Sequence, residues 1–191
     1  MDKAGIRKEF LEKRKSLTNE QLATANRQIW ERLKEFLDWE HVKGLHLYLS
    51  IPGQHEVDTQ PIVDYVRECH PQVDIVVPRV TDEEKMEHVL WKPHTALQPN
   101  QWGIPEPVEG ALYDISDLQV VIVPLIIFDL SGHRVGYGKG YYDRFLGSCL
   151  PVVEKVGLSI FSPAEKIRTE ATDVPLDAVI TPEKIYQFQK P

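Results

Sequence analysis

The residues best suited to do chemistry lie between Pro124 and Asp143. An apolar stretch runs into a loop with Gly136, Gly138 and Gly140 at alternate positions, and Lys139 sits between the last two. Tyr141, Tyr142 and Asp143 then open a helix. Glycines let a backbone approach an oxyanion closely, a helix N-terminus offers free N–H groups and a positive dipole end, and Lys139 adds a mobile charge. Together these parts suit a phosphate cradle. The spacing is neither the Gly-x-x-x-x-Gly-Lys-Ser/Thr loop nor the Gly-x-Gly-x-x-Gly fingerprint. Taken alone, the glycines fit a flexible turn equally well. The neighbouring Arg134, Lys139, Tyr141, Tyr142 and Asp143 favour a site, because a turn has no need of two cations, two aromatics and a carboxylate.

Two aspartates are candidate magnesium ligands: Asp143 in the first helical turn, and Asp173 in Thr172-Asp-Val-Pro-Leu-Asp177. Magnesium needs only one or two protein carboxylates, with water and nucleotide phosphates completing its shell. The competing readings are a first-turn carboxylate favoured by the helix dipole and a turn aspartate before proline. In the stiff loop Trp102-Gly-Ile-Pro-Glu-Pro107, Trp102 is either a face on which a ligand ring stacks or a plug in the core. The seven histidines show no metal-ligand spacing, and there is no Gly-x-Ser-x-Gly elbow or His-Glu-x-x-His pair.

The elements that must position these residues read as an α/β chain. Residues 3–15 form an amphipathic basic helix with Ile6 and Phe10 on one face. Thr18 and Gln21 have capping-box spacing for a second helix with a stripe at Leu22, Ile29, Leu33, Phe36 and Leu37. These two helices make an N-terminal hairpin. Strands are expected over 45–49, 73–77, 87–91, 120–123, 156–160 and 178–181, with helices over 59–69 and from 140. Strands alternating with helices predict a mostly parallel sheet covered on both faces, with ligands at the carboxyl ends of strands. The strand ends leading into unusual sequence are 50–59, 124–143 and 181 onward.

The chain has 191 residues, which fits one domain over 1–191. Its net charge of −7 and mixed charge pattern disfavour a nucleic-acid binder but leave room for one small anion. Cys69 and Cys149 form no motif and are expected to pack as small apolar groups. The charged N-terminus and short apolar runs predict a cytoplasmic protein with no membrane partner.

Pro124-Leu-Ile-Ile-Phe-Asp129 followed by Gly132-His-Arg134-Val-Gly136-Tyr-Gly138-Lys139-Gly140-Tyr141-Tyr142-Asp143 closely resembles the signature of the 5-formyltetrahydrofolate cyclo-ligase family, also called methenyltetrahydrofolate synthetases. Weaker matches are Lys3-Ala-Gly-Ile-Arg7, Tyr48-Leu49 through Glu56-Val-Asp-Thr59, Gly103-Ile-Pro-Glu-Pro107 and Asp173-Val-Pro-Leu-Asp177, in that family's order. The resemblance implies a three-layer α/β/α fold. It also implies a ring-forming carbon–nitrogen ligase of one-carbon metabolism, which uses ATP to convert 5-formyltetrahydrofolate into 5,10-methenyltetrahydrofolate, ADP and phosphate through a phosphorylated formyl group.

On the same basis, ATP would meet Lys3, Arg7, Arg134, Val135, Gly136, Tyr137, Gly138, Lys139, Gly140, Tyr141 and Tyr142. Folate would meet Leu49, Glu56, Tyr137, Gly138, Lys139, Gly140 and Tyr141, with Trp102 as the stacking face. Asp143 and Asp173 would hold Mg²⁺, and Lys139 and Arg134 would neutralise charge during phosphoryl transfer. Tyr137 stands where some relatives carry arginine or glycine. The expected protein is a monomer acting on small molecules alone. The readings that compete with this are sugar-phosphate isomerisation, acyl-CoA chemistry, or a module that binds nucleotide or folate without turnover.

Overall fold

The apolar run Val120–Val123 is buried on both faces and becomes the middle strand of a seven-stranded sheet. In the computed structural model, which describes residues 2–82 and 85–189, the chain begins with α1 (Lys3–Lys15) and α2 (Asn19–Phe36). There follow β1 (Gly44–His46), α3 (Gln60–Cys69), β2 (Asp74–Val80), β3 (Met86–Leu90), β4 (Leu97–Pro99) and β5 (Pro105–Pro107). The second half holds β6 (Val120–Val123), β7 (Ile127–Phe128), β8 (Arg134–Val135), α4 (Tyr141–Ser148), β9 (Glu154–Leu158), β10 (Ala178–Ile180) and β11 (Ile185–Gln187).

The main sheet runs β11-β10-β9-β6-β1-β2-β3. Its interior pairs are parallel, and the two outermost pairs, β2–β3 and β10–β11, are antiparallel. Successive residues of β6 serve opposite faces, as strand geometry requires. Val120 and Ile122 join the core beneath α2 and α3, with Ile29, Leu33, Ile62, Val63 and Val66. Val121 and Val123 join the opposite core with Phe145 and Leu146 of α4. The result is the expected three-layer α/β/α arrangement with two helices at the N-terminus.

Both N-terminal helices start where the side chains predict. The Asp2 carboxylate accepts from the Gly5 N–H at 2.8 Å, and Thr18 and Gln21 form a reciprocal capping box. Ile6 packs with Ile127, Val135 and Ile167 in a third small core, which ties α1 to the β7–β8 hairpin. Asp129 fixes that hairpin from within. It is buried, and its carboxylate accepts from the N–H groups of Ser131, His133 and Ile167.

Several expectations shift. The first strand is shorter than 45–49 and the strand near 156–160 lies at β9, displaced toward the N-terminus. The short ribbons β4–β5 and β7–β8 and the edge strand β11 carry no clear periodicity in sequence, since two or three residues are too few to show one. Thr181 is buried in a tight turn into β11 and does not lead to a site. Cys69 is exposed, so it does not pack as expected, whereas Cys149 borders the core and its thiol is pushed up to about 11 by burial.

Candidate active site

Topology makes a cleft at one place. The crossover from β1 leads by α3 to β2 on one side, and the crossover from β6 leads by α4 to β9 on the other. These two neighbours are therefore a switch point, where loops leaving the carboxyl ends separate and open a crevice. The loop after β1 supplies Tyr48 and Glu56, the segment after β6 supplies Pro124 to Ile126, and Ile160 and Phe161 follow β9. Arg14, from the last turn of α1, completes the wall.

The glycine loop meets this crevice through Tyr137, whose hydroxyl bonds Glu56 and Arg14. Gly138 (φ 92°) and Gly140 (φ 71°) occupy left-handed conformations that disfavour a side chain. A Cβ on Gly138 would lie 3.0 Å from Nη2 of Arg7, so the glycine also lets that guanidinium approach. Gly136 needs no positive φ. Its carbonyl accepts from Nε of Arg7 at 2.7 Å. Gly140 stands at the N-cap of α4 and has no side chain to occupy the helix's leading N–H groups. Lys139 projects into solvent, and Arg144 donates to its carbonyl at 3.2 Å.

At one end of the loop is Glu56. It is 9% exposed, one carboxylate oxygen accepts from the Ile51 N–H at 2.6 Å, and the other takes a short hydrogen bond from the Tyr137 hydroxyl. The same hydroxyl accepts from Nη2 of Arg14 at 2.7 Å. Burial raises the Tyr137 phenol, the charge of Glu56 adds to this, and Arg14 opposes it, so the hydroxyl stays protonated. The Tyr142 hydroxyl is also buried near Glu56 and Arg134 and has no partner among the described residues. Burial first, then Glu56, raises its phenol as well.

At the other end, cations meet carboxylates. The Lys3 ammonium bonds Asp173 at 2.7 and 2.5 Å across 170 residues of sequence. Arg134 donates to the Val174 carbonyl at 2.6 Å and to Oδ1 of Asp143 at 2.8 Å, where the Val174 N–H also arrives at 3.2 Å. Partial burial works to raise the Asp173 carboxyl, but Lys3, the Glu170 N–H and the Arg134 charge outweigh it and hold the group low. Both aspartates present hard oxygen donors beside the loop, and the Arg134 and Val174 bonds to Asp143 both fall on Oδ1. No group of three or more His, Cys, Asp or Glu gathers for a metal among the described residues. Two carboxylates completed by water and phosphate oxygens still suit magnesium.

The structure therefore brings together Lys3, Arg7, Glu56, Arg134, Tyr137 and the glycine loop, with Asp143 and Asp173 at one end. Leu49 and Val135 spend their side chains on the core. Trp102 is 41% exposed, so it does not plug the core, and Gly103 beside it lies close to Ile51 of the Glu56 loop. Tyr141 reaches away to the Asp82 carbonyl at 2.8 Å. Arg14 was missed from sequence, although a signal existed: positions 3, 7 and 14 lie within about 40° on a helical wheel of 3.6 residues per turn. The contact of buried His46 with half-buried His88, whose ring nitrogens lie 3.2 Å apart, has no signal in the sequence.

Comparison with known proteins follows the same outline. The profile of the 5-formyltetrahydrofolate cyclo-ligase family matches residues 1–182. The 5-formyltetrahydrofolate cyclo-ligase of Escherichia coli K12 is 30% identical over 182 residues, covering 93% of this chain and 98% of that protein. That of Haemophilus influenzae is 29% identical over 180 residues, covering 90% and 92%. The solution structure of Aquifex aeolicus 5,10-methenyltetrahydrofolate synthetase superposes with a TM-score of 0.83 at 31% identity, covering 100% of this chain and 95% of that one. The chain belongs to the 5-formyltetrahydrofolate cyclo-ligase family.

Proposed function

We propose that this member of the 5-formyltetrahydrofolate cyclo-ligase family closes the ring of 5-formyltetrahydrofolate to 5,10-methenyltetrahydrofolate, consuming ATP and releasing ADP and phosphate. The observation that carries the reading is the glycine loop at 136–140. It joins a cation-rich end, suited to phosphates, to a carboxylate end, suited to the N–H edge of a pterin.

Ring closure needs such a two-ended site. Direct attack of the folate N10 on the formyl carbon would have to expel hydroxide. Transfer of the γ-phosphoryl group to the formyl oxygen breaks the β–γ bridge, releases ADP and creates a better leaving group. N10 then bonds the formyl carbon and gives up its proton, and the carbon–oxygen bond breaks as phosphate departs with its electron pair. The protein's tasks are alignment and charge neutralisation. Lys139, Arg134 and the first N–H groups of α4 supply positive potential at the transferring group. Lys3 and Arg7 hold the nucleotide end, and Glu56, Tyr137 and Trp102 orient the folate. Asp143 and Asp173 are the residues that would hold Mg²⁺, which neutralises triphosphate charge when bound. No protein nucleophile is required.

The test is to add ATP, magnesium and 5-formyltetrahydrofolate to the purified protein while following the absorbance of the methenyl product and assaying ADP. Product that requires all three, with ADP in equal amount, supports the reading. ADP release without methenyl product would overturn it.

A further inference from the structure

Arg14 is a charged side chain only 4% exposed, yet its guanidinium has no carboxylate within 4.0 Å among the described residues. Its Nη2 donates to the Tyr137 hydroxyl, while its Nε is buried with no hydrogen-bond partner among the described residues. A buried cation with an unmade donor is unfavourable unless an acceptor arrives. The other two cations on this stripe of α1 are satisfied: Lys3 by Asp173 and Arg7 by the Gly136 carbonyl. At roughly 1.5 Å of rise per residue, Arg14 lies about 16 Å from Lys3 along the helix. That distance separates it from the phosphate end and places it at Glu56.

Arg14 and Glu56 share one hydroxyl, so a donor and an acceptor stand side by side in the cleft wall. A 2-amino-4-oxopteridine presents the complementary edge: N–H donors at the 2-amino group and N3, next to the acceptor O4. A carboxylate alone matches the two donors and repels the lone pairs of O4, so recognition of the whole edge needs a donor beside it. We propose that Arg14 is a specificity-determining residue whose guanidinium donates to the pterin 4-oxo oxygen while Glu56 accepts from the adjoining N–H groups. The inference rests on the reading of this cleft as the folate site.

The test measures binding, by calorimetry, of 5-formyltetrahydrofolate and of its 4-amino-4-deoxy analogue to the wild type, Arg14→Met and Arg14→Lys. The analogue also lacks the N3 proton, so the readout is the change in preference on substitution, not the preference alone. The wild type should prefer the 4-oxo ligand. Arg14→Met should cut that preference about tenfold, the scale set by an unpaired buried polar group. Arg14→Lys, which keeps the charge, should cut it less, by about threefold, and serves alone if the methionine variant fails to fold. ATP affinity should stay within about twofold, since Arg7 and Lys3 are untouched. A wild type without preference, or a folded variant with the wild-type preference, overturns the assignment of Arg14. A wild type that binds ATP but neither folate overturns the folate reading itself.

Discussion

Arg134 joins three parts of the site, and replacing it tests whether the pocket's electrostatics also hold its frame. In Arg134→Met two charge-assisted bonds disappear, to Val174 at 2.6 Å and to Asp143 at 2.8 Å. Hydrogen bonds to charged groups contribute about 1.5–3 kcal/mol each, and stripping one partner from a buried pair costs about 3–5 kcal/mol. Here the Arg134 side chain is 5% exposed but Asp143 is 27% exposed. The stranded carboxylate therefore recovers some hydration, which places the expected loss at about 3 kcal/mol, near the lower limit. For a chain of this size that lowers the thermal midpoint by roughly 6–12 °C. Urea unfolding followed by circular dichroism measures the free-energy loss, and a thermal scan the midpoint. The double variant with Asp143→Asn should cost less than the sum of the single variants, because the two residues share one interaction. A loss under about 0.5 kcal/mol, the ordinary effect of a surface change, or strict additivity, would refute the claim that this pair is structural.

Lys139 is exposed and makes no packing contribution, so Lys139→Ala should lower ATP-dependent turnover by about 10²-fold with an unchanged unfolding midpoint; near-normal turnover would remove it from its role. Gly138→Ala would force a side chain to φ 92° against the Arg7 guanidinium, destabilising by about 1–3 kcal/mol and raising the KM for ATP, and a stability change under about 0.5 kcal/mol would count against the close approach. Asp143→Asn should raise the magnesium concentration giving half-maximal turnover, and an unchanged titration argues against a metal role. Burial lowers the pKa of His46, with His88 adding to it, and burial lowers His88 to about 4, so both are neutral in the folded protein at pH 7. The unfolded chain takes up these protons below about 6.5, so stability should fall as pH drops from there toward 4, by up to about 1.4 kcal/mol per unit for each group. A stability profile flat between pH 7 and 5 would sink this account.

Read alone, the sequence determines whatever is written in local order. The helices read at 3–15 and 59–69, the capping box at Thr18 and the buried strand Val120–Val123 follow from periodicity and end chemistry. The loop from Gly136 to Asp143 suggests an anion cradle because glycines, a lysine and a helix start are neighbours in the chain. The tertiary structure alone decides which distant side chains meet. Lys3 finds Asp173, Tyr137 finds Glu56 and Arg14 finds Tyr137 because the crossovers open a cleft between β1 and β6 beside α1, while His46 finds His88 across β2. A local pattern records burial and backbone preference, whereas a bond across many tens of residues depends on strand order. For that reason the sequence places Arg14 on one helical stripe with Lys3 and Arg7, and only the fold joins its guanidinium to Glu56 through the Tyr137 hydroxyl.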